Sequence, residues 1–138
     1  MNIQYQLMNA KELQELVYEK DLQKKDKFSS IYKGFHYFSC NDFTNSDIDF
    51  LVAIDIDNDC IVGVLKYSIS ECKYWHMCQE IQVGDIYTAM RYIDIKEGYK
   101  GLRIGTILIQ IFNGAVDKSI PIMVTGEDGD GITYGSHR

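Results

Sequence analysis

The sequence lacks an excess of basic residues, any apolar run long enough to span a membrane, and paired-cysteine motifs. Lys and Arg number 14 against 20 Asp and Glu, a formal charge of −6. That balance argues against nucleic acid held on a positive face. It does not exclude a cationic substrate such as an amine, which an acidic surface attracts. No stretch approaches the about 18 apolar residues of a spanning helix, so no membrane partner is expected. Met1-Asn2-Ile3-Gln4-Tyr5-Gln6 has neither a basic region nor a long apolar core. No signal peptide is read there, and a cytoplasmic location is the expectation.

Four cysteines are present, Cys40, Cys60, Cys72 and Cys78, and none forms Cys-x-x-Cys. Cys72, His76 and Cys78 lack the spacing of a zinc finger or ribbon and fall on a segment that alternates like a strand. Reduced core thiols are the better reading. Asp55, Asp57 and Asp59 resemble the start of a calcium loop, but Cys60 stands where Gly is needed and Lys66 where a bidentate Glu belongs. No metal is expected.

With 138 residues, 46% of them hydrophobic, the chain can bury one core, and residues 1–138 are read as one domain. Ile3, Tyr5 and Leu7 alternate with polar residues and predict a strand. Asn9 with Glu12 three residues on has the spacing of a capping box, followed by Leu13, Leu16, Val17 and Leu22 at helical intervals. Lys20 to Lys27 is a mixed charge run at a solvated helix end. Phe28, Tyr32, Phe35, Tyr37 and Phe38 form an aromatic cluster, and packing is the favoured explanation for it. Asn41 to Asp47 reads as a polar loop. Phe50 to Ile56, a turn at Asn58-Asp59, and Cys60 to Tyr67 read as a hairpin. Glu71 to Gln82 alternates again, and Gly84-Asp85 turns the chain into a strand from Tyr87 to Ile95. Ala89, Arg91, Ile93 and Ile95 are expected on one face of that strand, with Met90, Tyr92 and Asp94 on the other.

From Ile93 to Thr106 the chain reads as strand, short loop and helix, and the rest is organised around this stretch. Gly98 and Gly101 permit backbone angles that other residues resist. The helix is expected from about Arg103 to Val116, with Ile104, Ile107, Leu108, Ile111, Phe112 and Ala115 at helical spacing. A loop entering a helix points unpaired N–H groups at one place, and the helix dipole makes that place favourable for phosphate. Pro121 to Gly126 reads as a further strand, parallel to the first through a right-handed crossover. Glu127 to Arg138 is polar and rich in glycine.

Lys100-Gly101-Leu102-Arg103-Ile104-Gly105, preceded by Ile93-x-Ile95 and Tyr99, resembles motif A of the GNAT-type N-acetyltransferases, where a strand leads into Arg/Gln-x-x-Gly-x-Gly/Ala and a helix. Lys100 replaces the usual Arg or Gln, and Arg103 replaces the first motif Gly. The resemblance implies an α/β fold: a mixed, mostly antiparallel sheet with a splayed parallel strand pair and flanking helices, here shortened at the C-terminus. It implies an acyltransferase that moves an acetyl group from acetyl-CoA to an amine of a small molecule or peptide. A non-catalytic acyl-CoA-binding or regulatory module is the alternative. Ile93 and Ile95 would bond the pantetheine arm. Lys100, Gly101, Leu102, Arg103, Ile104, Gly105 and Thr106 would hold the diphosphate. Tyr134 falls near the family's tyrosine acid. The family's strand glutamate aligns with Ala89, leaving Asp94 or Glu80 to act through water as base. The segment from residue 20 to 47 would shape the acceptor pocket. Absence of the final hairpin would leave an open sheet edge, and a homodimer through it would cover that edge.

Overall fold

The computed structural model describes residues 1–24, 29–44, 47–72, 83–124 and 134–136. Among the described residues six strands form one sheet in the order β1 (Ile3–Asn9), β2 (Ile48–Asp55), β3 (Cys60–Glu71), β4 (Ile86–Ile95), β5 (Ile122–Val124) and β6 (Tyr134–Ser136). All neighbours are antiparallel except β4 and β5. Helix α1 (Ala10–Lys24), the single turn α2 (Ser29–Tyr32) and a 3-10 turn (Cys40–Thr44) lie between β1 and β2, and α3 (Ile104–Ala115) links β4 to β5. The 3-10 turn occupies part of the stretch expected as plain loop. The candidates Phe28, His76, Cys78 and Glu80 lie outside the described residues.

The capping box forms as its spacing predicts. Asn9 Oδ1 accepts from the Glu12 N–H at 2.8 Å, and Glu12 Oε1 accepts from the Asn9 N–H at 3.2 Å. This exchange satisfies two donors at the start of α1 and aims Leu13 and Val17, both fully buried, onto the sheet. They join Phe38, Phe50, Val52, Ile54, Val64 and Tyr92 in one core. The amphipathic helix α3 covers the opposite face, where Ile104, Leu108 and Phe112 pack on Leu51, Ala53, Val62, Leu65 and Tyr67. Gly63 permits this close approach: a Cβ there would lie 3.0 Å from Ile104 Cγ2 and 3.2 Å from Leu108 Cδ1.

Strand β4 does not alternate without interruption. Lys66 pairs with Tyr92 and Tyr67 with Met90, so Arg91 is an extra residue, a β-bulge. A one-residue shift exchanges the faces. Met90 therefore packs on the α3 side with Ile93 and Ile95, while Ala89 packs with Cys72, Tyr87 and Met123. The expected grouping of Ala89 with Ile93 and Ile95, and of Met90 with Tyr92 and Asp94, is corrected by this bulge.

The parallel pairing is brief. Thr88, Ala89 and Met90 pair with Ile122, Met123 and Val124. Beyond Met90 the β5-side edge of β4, from Arg91 to Ile95, has no strand partner among the described residues. The bulge sits where that opening begins. On the far side of β5, Tyr134, Gly135 and Ser136 pair with Val124, Met123 and Ile122. A single strand thus covers the edge of β5, where the resemblance implied an open one.

Candidate functional site

The loop from Lys96 to Arg103 leads β4 into α3. Gly98 and Gly101 take φ of +94° and +82°, and Arg103, the N-cap of α3, takes φ +66° and ψ 12°. The departure from the family motif therefore falls on a left-handed residue, where glycine is preferred. A non-glycine residue in that region costs roughly 1–2 kcal/mol. Arg103→Gly should raise stability by about 1 kcal/mol, read as a higher midpoint in urea unfolding.

The N–H of Tyr99 donates to the Lys96 carbonyl at 3.0 Å, and that of Ile107 donates to Arg103 at 3.0 Å. Between them, the N–H groups from Lys100 to Thr106 find no backbone acceptor among the described residues. Lys100, Gly101, Leu102, Arg103 and Thr106 are exposed, and Gly105 is half-exposed. Free donors, the positive end of a helix and two cations thus share one surface. Gly105 faces β4: a Cβ there would lie 3.8 Å from the terminal carbons of Ile93 and Ile95. The sequence-predicted residues Ile93, Ile95 and Lys100 to Thr106 are therefore neighbours, with the free edge of β4 running up to the loop. The residues present fit a phosphate-bearing group followed by an extended arm.

Tyr99 anchors this loop. Its hydroxyl donates to Asp55 Oδ2 at 2.8 Å and lies 3.7 Å from Cys60 Sγ. Asp55 is fully buried and also accepts from Asn58 Nδ2 at 2.7 Å and from the Asn58 N–H at 3.3 Å. The Asn58 hydrogen bond, helped by that of Tyr99 and opposed by burial, holds the Asp55 carboxyl below the usual carboxylate range. The bond to Asp55, then the contact with Cys60, push the Tyr99 phenol well above its usual value. Asp55 thus adds stability above the ordinary carboxylate range that is lost as pH falls through its depressed value. Tyr99 adds stability below the ordinary phenol range that is lost as pH rises through its raised one. The other aspartates of the apparent calcium loop diverge: Asp57 accepts from the Asn2 N–H at 3.2 Å, and Asp59 pairs with Lys20.

Asp94 sits on the side of β4 opposite Ile93 and Ile95. It is buried, and its two oxygens accept from the backbone N–H groups of His36 at 3.2 Å, Tyr37 at 2.6 Å and Phe38 at 2.8 Å. A second buried carboxylate works in the opposite direction. Asp42, on the 3-10 turn, accepts from Lys66 Nζ at 2.9 Å and from the Tyr92 hydroxyl at 2.8 Å. Residues 36–44 are therefore fastened to β3 and β4 twice. Asp42, Lys66 and Tyr92 were missed by the sequence reading. The usable signal was Ser39 three residues before Asp42, since Asp42 also accepts from the Ser39 N–H at 3.0 Å. Within the aromatic cluster, Tyr32, Phe35 and Phe38 pack edge-to-face, as expected for core. Tyr37 is half exposed and stacks on Tyr92 at 5.8 Å, with His36 against its edge.

Tyr134 stands on β6. Its backbone shares a row with Val124 and Met90, level with the start of the free edge. Two strand spacings put it about 10 Å from β4.

This architecture is shared with solved N-acetyltransferases. Arabidopsis thaliana NAA60 in complex with acetyl-CoA superposes with a TM-score of 0.57 at 13% identity, covering 89% of this chain and 74% of that one. The same enzyme with a bisubstrate analogue gives 0.56 at 14%, over 89% and 73%. An aminoglycoside acetyltransferase from an uncultured soil metagenomic sample, in complex with sisomicin, gives 0.50 at 13%, over 90% and 76%. No protein-family model matches the sequence, and no curated protein matches it. The chain has the GNAT-type fold, a mixed sheet in which β4 and β5 form the parallel pair.

Proposed function

We propose that this chain binds acetyl-CoA and transfers its acetyl group to an amine of a small molecule or peptide. One observation carries the reading: free N–H groups from Lys100 to Thr106 adjoin the free edge of β4 from Arg91 to Ile95, within a fold shared with acetyltransferases. Backbone donors of the loop, with Lys100 and Arg103, would hold the diphosphate. Ile93 and Ile95 would offer strand-like hydrogen bonds to the pantetheine arm. The coenzyme supplies an activated thioester. Backbone N–H groups of β4 beside the Arg91 bulge would stabilise negative charge on the thioester oxygen. Tyr134 is the proposed acid for the leaving thiolate. The acidic chain favours approach of a protonated amine, which must lose a proton before attack. One domain acting in the cytoplasm, alone or as a homodimer, completes the proposal.

A second reading, a coenzyme-binding module without turnover, is favoured by the carboxylates. By the motif resemblance Ala89 falls where the family carries a strand glutamate, and both oxygens of Asp94 are engaged by backbone N–H groups. Titrating acetyl-CoA by calorimetry should give saturable heat. None at millimolar ligand removes both readings. Thiol release with polyamines, aminoglycosides and peptides as acceptors should exceed hydrolysis, and binding without any release selects the second.

A further inference from the structure

We infer that Tyr99 and Asp55 form a strut that sets the position of the anion-facing loop, making them positioning residues for the coenzyme site. This deepens the coenzyme reading and rests on it for its functional consequence. The start of the loop is also held by backbone, with Lys96 N–H donating to Val62 at 2.9 Å and Glu97 N–H to Gly34 at 2.8 Å, but from Lys100 to Leu102 there are few other restraints. The loop turns at Gly98 and Gly101, both with positive φ, and Leu102 is 46% exposed. Its other charged contacts are weak: Lys100 meets Glu97 at 3.4 Å between exposed side chains, and Lys96 Nζ stands 5.9 Å from the centre of the Phe35 ring. The Tyr99 phenol, by contrast, reaches a carboxylate with no exposed surface.

Asp55 suits that purpose. It is the last residue of β2, paired with Cys60 across the hairpin and with Ile3 of β1, so its Cα is fixed by strands on both sides. Asn58, in the turn, orients the carboxylate through two hydrogen bonds. A buried carboxylate is expensive unless its hydrogen bonds are satisfied, and an apolar side chain would pack there more cheaply. What the carboxylate adds is a rigid, charged acceptor directed at Tyr99. The Tyr99 ring is partly buried against the cluster that includes Ile104, Leu108 and Phe112, so removing the hydroxyl alone separates the anchor from the packing. The strut thereby links the β2–β3 turn to the donors at the start of α3.

The test uses Tyr99→Phe, Asp55→Asn and the double variant in the full chain. Backbone order parameters from 15N relaxation should fall across Gly101 to Arg103, from about 0.85 toward about 0.6. They should stay unchanged at Leu108 and Phe112. Calorimetry with coenzyme A should show affinity reduced about tenfold in Tyr99→Phe and by less in Asp55→Asn, whose amide oxygen still accepts from the hydroxyl but without charge, with the double variant no weaker than Tyr99→Phe because both act through one bond. A general packing role would instead lower the melting temperature and loosen α3 and β4 evenly. Unchanged order parameters in Tyr99→Phe would overturn the strut, as would additive losses in the double variant. If wild-type protein binds no coenzyme A but Tyr99→Phe still frees the loop, the coenzyme reading falls and the strut stands. Should Tyr99→Phe fail to fold, Asp55→Asn carries the same measurements.

Discussion

Gly105→Glu should reduce acetyl-CoA binding about a thousandfold, below detection in an ordinary titration, while the protein still folds. A side chain at this position leaves the first turn of α3 toward Ile93 and Ile95, with its Cβ at ordinary contact distance from both. Alanine therefore fits. A glutamate must continue past them, along the mouth between α3 and the free edge of β4, and its carboxylate ends beside the donors of Lys100 to Thr106. Two like charges about 4 Å apart at an intermediate dielectric repel by about 4 kcal/mol, close to three decades in affinity. Gly105→Ala is the control. It adds no charge and favours the helix by roughly 1 kcal/mol over glycine, so affinity should stay within about twofold and the melting temperature should rise. Equal affinity in the glutamate variant would take this loop out of coenzyme binding.

Local signals carried much of this protein. Asn9 and Glu12 announce the start of α1 because a capping box is a contact over three residues, complete within the sequence that encodes it. The hairpin around Asn58 and the helix from Ile104 were legible for the same reason, since periodicity changes at a turn. What escaped was long-range. The bulge at Arg91 is defined only by how β3 pairs with β4, and no composition within Met90-Arg91-Tyr92 demands it. Asp94 looks identical, as text, whether it faces an amine or the amides of His36 to Phe38. The Asp55–Tyr99 bond spans 44 positions, so neither end predicts the other. The motif residues were readable, yet the left-handed backbone of Arg103 was not, because arginine is not the residue that conformation selects.

Asp94→Ala should destabilise the chain by about 3 kcal/mol or more, the largest stability loss expected from any polar residue near the site. The carboxylate accepts three N–H groups, two of them at 2.6 and 2.8 Å, and Phe38, which supplies one, is buried in the core. A buried donor left without an acceptor costs about 1–3 kcal/mol, and water entering at exposed His36 and Tyr37 recovers part of the sum. Asp94→Asn keeps the shape but replaces one acceptor by an NH2 group that faces other donors, so it should lose roughly half as much. The midpoint of urea unfolding, with the slope unchanged, reads both losses. The same pair of variants separates fastening from base catalysis. A general base replaced by asparagine leaves a protein as stable as the parent with its turnover gone. A fastener replaced by asparagine loses stability first, and any acetyl transfer declines through loosening of residues 36–44, seen as a raised KM for the amine rather than a collapsed kcat. Asparagine that is as stable as aspartate but inactive would return Asp94 to the chemistry.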